Sequence, residues 1–150
     1  MANILPYIGF ENYLFSKSFD EIHKYLKDSS KPYTIEHWPN KGCTPEVAWD
    51  IIRVGESISL FFAKGCLFKI YFEGGFEGSL SNGIHLGQKI DEAIAIDKTL
   101  KYDDWEEEYI SDLGYWLEDD VETGKILSMT IFIRALEDSD YFYSYNWCTN

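Results

Sequence analysis

Four carboxylates fall within five positions at Glu118, Asp119, Asp120 and Glu122. Acids clustered this way can hold a hard cation through oxygen ligands or divide the acid and base roles of glycoside hydrolysis. The spacing does not fit a calcium loop, which wants alternating Asp or Asn ligands, a glycine and a later glutamate. On a strand, Glu118 and Asp120 would share a face while Asp119 points away, so the group reads as a solvated hairpin end. The remaining reactive side chains are scattered. His23 falls in a predicted helix, His37 beside Trp38 in a predicted strand, and His85 in a glycine-rich loop. No two have the spacing to ligate a metal from one element. Cys66 heads an apolar strand and reads as a core residue, and Cys43 lies in a turn-rich loop with no base nearby. Ser57 and Ser59 lack the glycines of a nucleophile elbow. Gly74-Gly75-Phe76-Glu77-Gly78 has neither the lysine nor the hydroxyl residue of a phosphate loop and reads as a linker. Catalysis needs a constellation of groups. None forms here, so no catalytic, cofactor or metal residue is assigned, and the expectation is a protein that binds without chemistry of its own.

Charge says what it would bind. The 150 residues carry 26 acids and 13 bases, a formal net charge of −13. That repels phosphate backbones and anionic bilayers, so neither nucleic acid nor membrane is an expected partner. The imbalance peaks between residues 103 and 122, where ten of twenty positions are acidic and no Lys or Arg occurs between Lys101 and Lys125. Trp105, Tyr109, Tyr115 and Trp116 are interleaved. A solvated face with its rings turned into the core is one reading. The other is a contact surface, with rings giving buried area and carboxylates meeting Lys and Arg. The expected partner-binding residues are Asp103, Asp104, Trp105, Glu106, Glu107, Glu108, Tyr109, Asp112, Glu118, Asp119, Asp120 and Glu122. Tyr115 to Leu117 should be core, leaving the acids around Trp105 and those at the hairpin end as the better contacts.

The elements that must position these groups follow from pattern. Ser18-Phe19-Asp20-Glu21 matches a capping box, and Phe19, Ile22 and Leu26 share a helical face, which predicts a helix over about 19–27. Strands are predicted at 33–38 and 49–54, and at 58–63 and 66–72 about a two-residue Lys64-Gly65 loop. Breaks are expected at Pro39 to Gly42 and a turn at Pro45. A second helix is predicted over about 90–97, an ambiguous acidic segment over 98–109, and strands at 115–118 and 125–133 joined by a turn at 120–124. Residues 141–147 could add an edge strand or cover one. The fold class is α+β, an antiparallel sheet with helices on one face. The uncovered sheet face would be free to meet a partner. A further reading is two helix-plus-hairpin repeats, with halves at about 1–76 and 84–150, within one domain.

Hydrophobic residues make up 45% of the chain, enough for a core. Three cysteines at wide spacing read as reduced thiols in a cytoplasm. The first ten residues have no basic region or long apolar run, so no secretory signal is expected. No stretch approaches the length of a membrane span.

Leu86-Gly87-Gln88-Lys89-Ile90-Asp91-Glu92-Ala93, Gly114-Tyr115-Trp116-Leu117-Glu118-Asp119-Asp120, and Thr123-Gly124 followed by Lys125 to Ile133 resemble the C-terminal half of small bacterial immunity proteins. Those proteins neutralise the toxins of contact-dependent growth inhibition and related polymorphic toxin systems. The resemblance covers residues 84–133, a third of the chain. It implies a cytoplasmic protein that binds one cognate toxin domain, an RNase or DNase, and blocks its active site or substrate approach. The helix-then-hairpin pattern also resembles the modules of β-lactamase inhibitor proteins, which bind through a concave sheet, though this chain departs from their signal sequence. The alternative is an acidic interaction or regulatory module unrelated to toxins.

Overall fold

The computed structural model describes residues 3–39 and 48–148. Cys43, the predicted break after Pro39 and the turn at Pro45 lie outside the described residues. Three short strands open the chain: β1 (Asn3–Ile4), β2 (Gly9–Phe10) and β3 (Tyr13–Leu14). Helix α1 (Phe19–Ser29) begins on the predicted capping box. The Glu21 N–H donates to Ser18 Oγ at 3.2 Å, and the Ser18 N–H donates to Glu21 Oε1 at 3.1 Å. These bonds satisfy amide groups that a helix start otherwise leaves open. Ser30, left-handed at φ 58°, stops the helix ahead of Pro32.

Four strands follow as a meander: β4 (Tyr33–Trp38), β5 (Trp49–Val54), β6 (Ile58–Ala63) and β7 (Cys66–Glu73). The connection after β7 is less of a linker than its glycines suggest. It contains β8 (Ser79–Leu80), which pairs in parallel with β1, and it buries Leu80 and Ile84 in the main core. Then come α2 (Ile90–Ile96) and a second meander: β9 (Lys101–Asp103), β10 (Glu108–Ser111), β11 (Tyr115–Asp119) and β12 (Ile126–Phe132). The ambiguous acidic segment is thus a hairpin. One eight-stranded antiparallel sheet results, in the order β4-β5-β6-β7-β12-β11-β10-β9. The two meanders meet only where β12 pairs with β7, Ser128 opposite Glu73 through Phe132 opposite Lys69.

The fold class is α+β with an antiparallel sheet, and alternation along the strands assigns its two faces. Ile52, Leu60, Ile70, Leu117, Met129 and Ile131 point to the side that α1 and α2 cover, where they join Ile22, Leu26, Ile90 and Ala93 in the main core. Ile51, Phe61 and Phe68 point to the other side. Residues 141–147 add no strand there. A 3-10 turn at Arg134–Glu137 leads into a short third helix, α3 (Ser139–Ser144), whose N-terminus is capped by Asp138 accepting from the Tyr141 N–H at 3.1 Å. Phe142 is driven into the Phe61 and Phe68 cluster, with Trp147 stacked on it at 5.2 Å.

Cys66 and Cys148 are joined by a disulfide, their Cα atoms 6.0 Å apart. This corrects the expectation of reduced thiols. The pairing spans 82 positions because α3 returns the chain end to the head of β7, and that return is a tertiary event that cysteine spacing does not encode. Among the described residues no helix is long and apolar enough to cross a membrane.

Candidate binding surface

One buried carboxylate fixes the acidic half of the sheet. Asp97, 4% exposed, ends α2. It accepts from the Thr99 N–H at 2.9 Å, Thr99 Oγ1 at 2.7 Å, Ser111 Oγ at 2.5 Å and the Tyr115 hydroxyl at 2.5 Å. Burial pushes the Asp97 pKa up, but the bonds from Ser111, Tyr115 and Thr99 outweigh it and hold the group below its ordinary value. The carboxylate therefore stays charged; Ser111 and Tyr115 tie the end of α2 to β10 and β11, while the two Thr99 donors close a local turn. This network was not foreseen. The available signal was the Asp97-Lys98-Thr99 spacing after a helix, the pattern of a local Asx turn.

The twelve expected contact residues do not form one patch. Two hairpin tips, residues 104–107 and 120–125, project side by side from one end of the sheet. Trp105 is 91% exposed at the first tip and Val121 97% exposed at the second. Asp104, Glu106, Glu107 and Glu122 are exposed around them. Two acids shape the tips themselves. Asp103 accepts from the Trp105 and Glu106 N–H groups at 2.9 and 3.0 Å, and Asp120 accepts from Glu122 and Thr123 at 2.8 and 3.4 Å. Asp112 is exposed at the opposite end of β10, and its N–H donates to Thr99 Oγ1.

The rest divide between faces. Tyr109 opposes Leu117, packs against the main core and stacks edgewise on Tyr102 at 5.0 Å. With Glu107, Asp119 and Val121 these two tyrosines line a shallow depression of about 250 Å³. Glu108 and Glu118 alternate onto the other face with Trp116. A bulge at Glu118 and Asp119 breaks the predicted register that would set Glu118 and Asp120 on one strand face. On this second face α3 covers the first meander; among the described residues no helix covers the strands of the second, though Tyr7 packs edgewise on Phe132 at 6.1 Å and Ser128, Thr130 and Phe132 are buried. Tyr71 opposes Thr130 there, and Glu73, Ser128 and Glu118 form the neighbouring row, in which Ser128 donates to Glu118 at 3.0 Å. Lys69 marks the seam, its ammonium 4.3 Å from the Phe61 ring centre and 5.0 Å from that of Trp49. Lys69, Tyr71, Trp116 and Val121 were not among the expected contacts. Strand register brings Lys69, Tyr71 and Trp116 to this surface, and Val121 sits on the second hairpin turn.

The field here is negative and unbalanced. Among the described residues the ion pairs are Lys24 with Asp28, His37 with Asp50, and Arg53 with Glu36, none at this end of the sheet. Burial raises the Glu108 pKa, and the nearby Glu118 charge raises it further. Burial also lowers the Lys69 pKa, against the pull of Glu108 and Glu106. Tyr102 is raised, by desolvation and then by Glu107 and Asp104. Among the described residues no three His, Cys, Asp or Glu side chains are grouped to hold a metal ion. The arrangement offers the exposed Trp105 and Val121 among the exposed carboxylates of Asp104, Glu106, Glu107 and Glu122, with Lys89 and Lys125 beside the second tip. No protein-family model matches the chain, and neither the search of curated proteins nor that of solved structures returned a match.

Proposed function

We propose that this chain is an immunity-type binding protein that captures a basic toxin domain, an RNase or DNase, at the two acidic hairpin tips and the Glu108 and Glu118 side of the adjoining strands. The observation that carries the reading is Trp105, a nearly fully exposed tryptophan among Asp104, Glu106 and Glu107. An aromatic ring in water is costly to maintain and typical of an interface anchor. Carboxylates without internal partners complement the Lys and Arg groups that a nuclease uses to hold phosphates. The resemblance of residues 84–133 to immunity proteins supplies the toxin context. On this reading the protein works in the cytoplasm, where the substrates of such nucleases are.

Co-expression with the product of the gene directly upstream tests the proposal. A stable complex is expected, and reversing Glu106, Glu107, Glu108, Glu118 and Asp120 to Lys should abolish it. Affinity unchanged by the fivefold reversal would sink the assignment.

A further inference from the structure

The C-terminal return covers the first meander's share of the second sheet face, and its hold there is divided. Helix α3 has six residues, too few to persist by its own hydrogen bonds. Packing supplies one hold: Phe142 on Phe68 at 5.1 Å between ring centres, Trp147 on Phe142, and Lys64 over the Tyr145 ring at 4.2 Å. The Cys66–Cys148 bond supplies the other. The two sulfurs are unequally placed. Cys66 is buried at the head of β7, whereas Cys148 is half-buried near the chain end.

We infer that the disulfide is a thiol-operated latch, whose reduction frees residues 134–148 and uncovers the aromatic half of the face. An external dithiol, small or protein-borne, supplies the electrons. Its thiolate attacks the more accessible Cys148 sulfur, forming a mixed disulfide and expelling the Cys66 thiolate, which takes up a proton. The second thiol of the reductant then displaces Cys148 as a thiolate, which is protonated in turn. The products are two protein thiols and one oxidised dithiol, with two electrons transferred. Once released, the segment leaves Phe61, Phe68 and Trp49 open beside Lys69. The aromatic area then runs through that residue into the half bearing Glu108 and Glu118. The inference does not depend on the identity of the partner.

Two measurements on the full chain test it. Maleimide labelling of the air-oxidised protein under denaturing conditions, read by intact mass, should give two more adducts per chain after dithiothreitol than before it. Three adducts before reduction would refute the bond. Hydrogen exchange should then show amides of residues 134–148 exchanging at least tenfold faster after reduction, while α2 and β11 keep their protection. Unchanged exchange in 134–148 would mean that packing alone holds the cover. Loss of protection everywhere would make the bond a global staple, and either result overturns the latch. The double variant Cys66→Ser/Cys148→Ser should match the reduced protein. If it does not fold, reduced and alkylated wild type replaces it.

Discussion

The Tyr115 hydroxyl donates to Asp97 at 2.5 Å, joining a core strand to the end of α2. Tyr115 also receives a bond from Asn82 Nδ2 at 3.2 Å, so the same oxygen reaches the connection after β7. A neutral ring carrying a donor thus sits where helix, sheet and loop meet.

Tyr115→Phe should cost about 1.5–3 kcal/mol, the usual cost of losing a hydrogen bond to a charged group. Urea unfolding measures it. The pH dependence has a definite sign. Asp97 titrates lower in the folded chain than its ordinary 3.8, so its contribution is complete above that pH. It is lost as the pH falls through the depressed native value. Asp97→Asn should flatten this acid limb of the stability curve.

Glu108→Gln should raise stability and weaken partner binding. Its pKa is raised above 4.5 by burial and by Glu118, so ionising it costs folding free energy at neutral pH. Like charges opposed across strands destabilise by roughly 0.2–1 kcal/mol. The advantage of the variant in thermal melts should be absent well below pH 4.5 and grow as the pH rises through the native pKa. A variant less stable than wild type at pH 7 would contradict this.

Trp105→Ala should leave the fold intact, within about 0.5 kcal/mol, because the ring packs on little. Loss of affinity for the partner should reach 2 kcal/mol or more. The association rate should fall steeply with added salt, since steering by this field is worth roughly 10–10³-fold at low ionic strength. Stopped-flow binding at two salt concentrations checks both.

Gly114→Ala should be strongly destabilising. Its φ is +95°, and a Cβ there would lie 2.5 Å from the Tyr7 ring. Arg134, whose guanidinium lies 3.9 Å from the Tyr7 ring centre, and Phe132, edge-on at 6.1 Å, also pack on that ring, so it has little room to yield. A melting temperature within a degree of wild type would contradict the packing.

Much of the fold was legible because local rules agreed with the tertiary outcome. The Ser18 box, the two-residue Lys64-Gly65 loop and the alternation of residues 126–132 each name their element. Residues 141–147 stood open between adding an edge strand and covering one, because Tyr, Phe and Trp favour strands. What decided them was Asp138 as a helix cap and the Phe68 surface that Phe142 could fill. The acidic stretch was legible as composition, not as a surface. Carboxylates look alike in sequence whether they bond their own turn, as Asp103 and Asp120 do, or stand opposed across strands, as Glu108 and Glu118 do. Asp97 was overlooked because one acid near a helix end carries no periodicity, and two of its four donors, Ser111 and Tyr115, come from later strands.

The bond between Cys66 and Cys148 gives the chain an unusual connectivity. Residues 66–148, including α2 and the whole second meander, lie inside a covalent ring closed across 82 positions. A protease cut in the loop before α2 would open that ring without dividing the molecule. The pieces would stay joined through sulfur and through the β7–β12 ladder. Under oxidising conditions such a nicked protein should run as a single species and keep its sheet, and it should fall into two fragments only when both thiol reductant and denaturant are present.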